Sequence, residues 1–193
     1  MKLPCFNENS YAHFITIKTH NNKPVFINEK LCGILISNLN YYRRQLRFKL
    51  LAYVIMPDHF HAIIWWDAEK YRELNISKIM RSLKSHTARE IIDLSTGSRG
   101  PLTSAVNKCL GQVTQTTRKK YPHRRISEQK YRLWQPSFYD FNIYSEKKFQ
   151  QKLDYIHNNP VRAKIVEKPE DYKFSSFRNI FYNDHSIIKI DNL

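Results

Sequence analysis

The chain has 193 residues, 41% of them hydrophobic and 13% aromatic, a composition that excludes a disordered polymer and suits one domain with a real core. Its 32 Lys and Arg against 17 Asp and Glu give a net charge of +15, which points to a polyanionic partner. Three scattered cysteines (Cys5, Cys32 and Cys109) form neither a zinc pattern nor a disulfide framework, and no apolar run is long enough for a membrane span, so a cytoplasmic protein with reduced thiols is expected.

Residues 11–18, YAHFITIK, alternate and are rich in β-branched and aromatic types, which predicts a strand. Asn28 is a helix cap, followed at helical spacing by Leu31, Ile34, Leu35, Leu39 and Tyr42. The apolar run 50–56, the turn Pro57-Asp58 and the run 59–66 read as a hairpin. A helix is expected over about 76–92, with Ile76, Ile79, Met80, Leu83 and Ile91 on one face and the basic Arg81 and Lys84 off it.

Residues 94–132 change character, with nine basic residues against one acid, Glu128. This is read as a basic insertion, with a solvated linker as the plain alternative. Residues 133–144 are expected to form a last strand, placed at an edge by Pro136. Ser145 then caps a helix that Pro160 is expected to end, and 161–193 is an irregular, aromatic-rich extension. The whole chain, 1–193, reads as a single domain. The order β-α-β-β-α-(insertion)-β-α predicts an α+β, ferredoxin-like (split β-α-β) antiparallel sheet with helices packed on one face.

Two clusters carry chemistry. In His59-Phe60-His61 the strand period of two turns both imidazoles to one face, about 7 Å apart at the backbone, and Phe60 to the other. Such a pair occurs on many strands, so alone it is a weak signal for a metal. On a helical wheel of about 100° per residue, Phe149, Leu153 and Ile156 form the core stripe. Tyr155 and Asn159 lie together on one flank of that stripe, His157 on the other, and Asn158 points away.

The run Tyr53-Val54-Ile55-Met56-Pro57-Asp58-His59-Phe60-His61 resembles the signature of HUH single-tyrosine transposases of the insertion-sequence (IS200-type) superfamily. Tyr155-Ile156-His157-Asn158-Asn159-Pro160-Val161-Arg162 resembles the tyrosine helix of the branch called REP-associated tyrosine transposases. Trp134-Gln135 to Tyr139-Asp140, and Glu170-Asp171-Tyr172 through Ser175-Ser176, are similar to the same branch, so the likeness covers 11–92 and 133–178. The chain departs from the pattern in two places. Phe141-Asn142-Ile143-Tyr144 stands where many relatives carry a basic or histidine-bearing strand, and the insertion at 97–131 is longer.

The resemblance implies a function. His59, His61 and Asn159 would bind Mg²⁺ or Mn²⁺, ions suited to a hard carboxamide oxygen. Tyr155 would attack a phosphodiester of hairpin-containing single-stranded DNA, leaving a 5′-phosphotyrosine and a free 3′-OH that permits resealing. DNA contacts are expected from Arg81, Lys84 and Arg162, and from Arg118, Lys119, Lys120, Arg124 and Arg125 of the insertion, which would clamp the hairpin. Monomer and homodimer both remain open. The alternative is a non-catalytic or domesticated single-stranded nucleic-acid-binding protein of the same fold. A β/α-barrel hydrolase needs about 250 residues, an RNA-recognition domain would show a different aromatic motif, and the three-histidine cluster common in HUH relaxases is absent.

Overall fold

Pro57 and Asp58 close the tight hairpin at the centre of the fold. It joins β2 (Lys49–Ile55) to β3 (His59–Trp65), and Met56 N–H donates to the His59 carbonyl at 2.8 Å. The computed structural model describes residues 11–95 and 132–192. β1 (Ala12–Lys18) pairs antiparallel with β3, and β4 (Tyr139–Ile143) pairs antiparallel with the other side of β1. The strand order β2-β3-β1-β4, with α1 (Glu29–Leu46) following β1 and α2 (Ile76–Ser95) following β3, is the expected ferredoxin-like plan. As its sequence position suggests, Asn28 caps α1, accepting a hydrogen bond from Lys30 N–H at 3.0 Å.

The helices divide between the two faces of the sheet. α1 and α2 share one face, where Leu31, Leu35, Ile79 and Leu83 pack on Ile15, Tyr53 and Phe60. α3 (Glu146–Arg162) lies on the other, setting Phe149, Leu153 and Ile156 against Phe14, Leu51, Val54 and Ile63. The one-face arrangement predicted from element order therefore holds for α1 and α2 but not for α3. β2 supplies the reason, because Leu50 through Ile55 are all buried and both sides of that strand need an apolar cover. Each buried side chain of the α3 stripe contributes about 1.5–3 kcal/mol to holding it there.

Two local expectations also change. The strand predicted over 133–144 is split: Trp134 makes an isolated bridge with Thr19, the chain bends at Pro136, and regular pairing resumes only at Tyr139. Pro160 does not end α3, which runs on to Arg162. Its missing N–H costs a single helical bond near the end, and Ala163 N–H still reaches the Asn159 carbonyl at 2.9 Å. No helix among the described residues is long and apolar enough to cross a membrane.

The C-terminal extension has a definite task. β2 is an edge strand, and the extension covers it: Ile55 N–H donates to the Phe174 carbonyl, Ser176 N–H to the Tyr53 carbonyl, and Asp191 N–H to the Leu50 carbonyl. The segment also contains a short helix, α4 (Phe177–Tyr182). Ser176 is its pivot. The hydroxyl accepts from Tyr53 N–H at 3.0 Å and donates to His157 Nε2 at 3.0 Å, tying the extension to both β2 and α3. Burial pushes the His157 pKa down to about 4, which keeps the ring neutral and able to accept. Ser176→Ala would strand two buried groups, Tyr53 N–H and His157 Nε2. The expected cost is about 1–3 kcal/mol for each, read as a lower denaturation midpoint; an unchanged midpoint would contradict the pivot.

Candidate active site

Pairing with β1 fixes the surroundings of the two histidines. His61 lies opposite Thr16 and His59 opposite Lys18. Both rings share the α3 face, with centroids 4.7 Å apart, while Phe60 is fully buried among the residues under α1 and α2. Each ring is held through Nδ1. His59 Nδ1–H donates to Asp58 Oδ1 at 2.6 Å, and His61 Nδ1 shares a hydrogen bond with Thr16 Oγ1 at 2.8 Å. Partners at Nδ1 leave Nε2 of each ring for another use, the arrangement that orients metal-binding histidines.

The buried Nε2 of His61 has no hydrogen-bond partner. Burial, and secondarily His59, pushes the His61 pKa down to about 3, so the ring is neutral and keeps a lone pair. An orphaned, neutral imidazole nitrogen beside a second oriented imidazole is a donor set that fits a divalent cation. Among the described residues no group of three or more His, Cys, Asp or Glu could hold one. A third protein donor would therefore be of another type.

α3 brings the second cluster to the first. The Tyr155 ring stands edge-on to His61 at 5.2 Å and to Phe14 at 5.8 Å between centroids, yet is 38% exposed and open to substrate. The Arg162 guanidinium lies 5.7 Å from the centre of the same ring. Asn159, one turn beyond Tyr155, is buried, and its Nδ2 has no partner. Asn158 is exposed and donates to the Asp154 carbonyl, and His157 belongs to the Ser176 link. The helical wheel thus separated these three neighbours correctly.

The basic residues fare less evenly. Lys84 was expected to meet DNA, but its ammonium donates to the carbonyls of Gln135, Pro136 and Ser137 at 2.7, 3.0 and 3.1 Å. All three of its N–H groups are used to pin the loop before β4, which leaves none for a phosphate. Arg81 is exposed on α2, with the sheet between it and the histidines. Arg118, Lys119, Lys120, Arg124 and Arg125 lie outside the described residues. Sequence reasoning missed Lys152. Its ammonium sits 4.5 Å from the centre of Phe14, 4.6 Å from Phe141 and 6.0 Å from Tyr139, and burial, then Lys148, lowers its pKa.

Residues 7–96 match the family model described as "Transposase IS200 like". Over that segment, just under half of its length, the chain is similar to the IS200-like transposases. His59 and His61 fall within the matched residues; Tyr155 and Asn159 do not. A protein of Haemophilus influenzae named as a REP-associated tyrosine transposase is 36% identical over 69 residues, 34% of this chain and 39% of that one. The REP-associated tyrosine transposase of Escherichia coli strain K12 is 38% identical over 45 residues, 23% of this chain and 27% of that one. The chain thus aligns with less than half the length of either relative. The solved structure of a REP-associated tyrosine transposase bound to a REP hairpin superposes with a TM-score of 0.64. It covers 100% of this chain and 92% of that chain at 18% identity, a likeness of fold.

The part assigned to Lys84 in holding the loop before β4 has a direct check. Lys84→Met keeps the aliphatic stem but removes three charge-assisted bonds. Stability should fall by about 1.5–3 kcal/mol, with no change in the salt dependence of single-stranded DNA binding. Unchanged stability with a shallower salt slope would make Lys84 a phosphate contact after all.

Proposed function

We propose that this protein cuts and rejoins hairpin-containing single-stranded DNA through a covalent 5′-phosphotyrosine at Tyr155. The observation that carries the reading is the contact of the half-exposed Tyr155 ring with His61, whose buried Nε2 lacks a partner. A tyrosine packed only for structure would not need an orphaned imidazole beside it. The relation to IS200-like transposases, the REP hairpin in the structural neighbour and the charge of +15 support the same substrate class. Work on DNA would place the protein at the nucleoid.

His59 and His61, with the carboxamide oxygen of Asn159, would hold a Mg²⁺ or Mn²⁺ ion. When bound, such an ion polarises a non-bridging phosphate oxygen. The Tyr155 hydroxyl oxygen attacks phosphorus, the bond from phosphorus to the 3′ oxygen breaks, and that oxygen leaves as a 3′-OH with a proton taken up in exchange for the phenolic one. A second 3′-OH reverses the step and releases the tyrosine. With an ordinary pKa of about 10, a phenol is a far better leaving group than a serine hydroxyl, so the link stores the bond in reusable form. Asp58 and Thr16 keep both imidazole rings in position throughout.

Incubation with hairpin-containing single strands should give a denaturant-resistant protein–DNA adduct. Tyr155→Phe should abolish the adduct while leaving stability and DNA affinity nearly intact. An adduct at the parental level from this variant would refute the nucleophile. In the same assay a chelator or His61→Ala should stop cleavage, and His61→Ala should also weaken Mn²⁺ binding to the DNA-free protein. Equal Mn²⁺ affinity in the two proteins would remove His61 from the ligand set.

A further inference from the structure

Phe14 gathers the site. Its ring touches His61 at 5.4 Å, Tyr155 at 5.8 Å and Tyr139 at 6.2 Å between centroids, and Lys152 lies 4.5 Å over it. In the β1–β4 register Phe14 faces Phe141 and Thr16 faces Tyr139, so these aromatics share the face that bears His59 and His61. β4 is the edge of the sheet opposite β2, and Tyr139 is 52% exposed there.

A surface lysine ordinarily extends its ammonium into water. Lys152 instead lies against three rings, and among the described residues no carboxylate pairs with it. Ring faces attract the cation without using its hydrogens. The three N–H donors of a partly desolvated charge are thereby held for an anion. Lys152 precedes Tyr155 by three residues on α3, so the two side chains are neighbours on the helix surface.

We propose that Lys152 is a catalytic residue of this site, its ammonium donating to a non-bridging oxygen of the phosphodiester that Tyr155 attacks. The inference rests on Tyr155 being the nucleophile. Negative charge on the phosphoryl oxygens is held at that position by a fixed cation placed before the reaction begins. The rings of Phe14 and Phe141 set its place, and the exposed Tyr139 offers a face on which the base next to the cut can stack.

The test measures the rate of adduct formation at saturating hairpin-containing single-stranded DNA. It compares the parent chain, Lys152→Met, Lys152→Arg and the control Lys147→Met. Methionine keeps the apolar stem on the rings, so the melting temperature should hold. The rate should fall roughly tenfold to a hundredfold, arginine should restore much of it, and Lys147→Met should match the parent. Should the methionine variant fail to fold, Lys152→Gln is read in its place. A parental rate in Lys152→Met, or an equal loss in Lys147→Met, would overturn the assignment. No adduct from the parent chain would overturn the nucleophile reading, and this inference with it; an adduct from the parent that Lys152→Met matches would overturn this inference alone.

Discussion

The docking of α3 on the second face of the sheet sets everything at the site. Phe149, Leu153 and Ile156 fill the apolar surface that β1, β2 and β3 leave open on that side, and this contact fixes the rotation of the helix. A slip of one residue would turn the helix by about 100° and carry Tyr155 off His61. The clasp through Ser176 and His157 restrains the same helix from its other flank. Apolar packing thus chooses the position, and directional bonds on either side hold the angle.

Against that frame the histidine pair is costly to maintain. His61 is buried in a sheet, with one nitrogen satisfied by Thr16 and the other by nothing. A buried acceptor without a partner costs about 1–3 kcal/mol, and a strand residue with an apolar side chain would avoid the cost. Asn159 has an unpartnered buried nitrogen on the same helix flank as the tyrosine. Structural needs do not account for these two deficits lying near a half-exposed phenol. The proposed function, in which the site takes up an ion and a phosphate, would give both a partner.

Much of this was legible in the sequence, for identifiable reasons. The hairpin is written in two apolar runs around Pro57-Asp58, the α1 cap in Asn28, and the apolar stripe of Phe149, Leu153 and Ile156 in the 3.6-residue period. What escaped depended on tertiary context. The side on which α3 packs follows from β2 being buried on both faces, and an apolar run does not say what covers each face. Pro160 looked like a helix stop because its sequence position does not show that only one bond is lost. Lys84 looked like a free surface charge because the three carbonyls it binds lie 51 to 53 residues away. The wheel that joined Asn159 to Tyr155 places Lys152 on the same flank. Nothing in the chain before folding shows that Phe14 and Phe141 would come beneath it.

The family match and the geometry bear on different residues. The matched segment includes the histidines and stops before the tyrosine helix, so the role proposed for Tyr155 rests on its position in the fold. Two other tyrosines nearby, Tyr139 and Tyr144, are more exposed than Tyr155 and could compete for the assignment. The most direct test is peptide mapping by mass spectrometry of the protein–DNA adduct after nuclease trimming. If Tyr155 is the nucleophile, a nucleotide remnant is attached through its 5′ phosphate to the peptide containing Tyr155. A remnant on Tyr139, on Tyr144, or on any residue other than Tyr155 would contradict it.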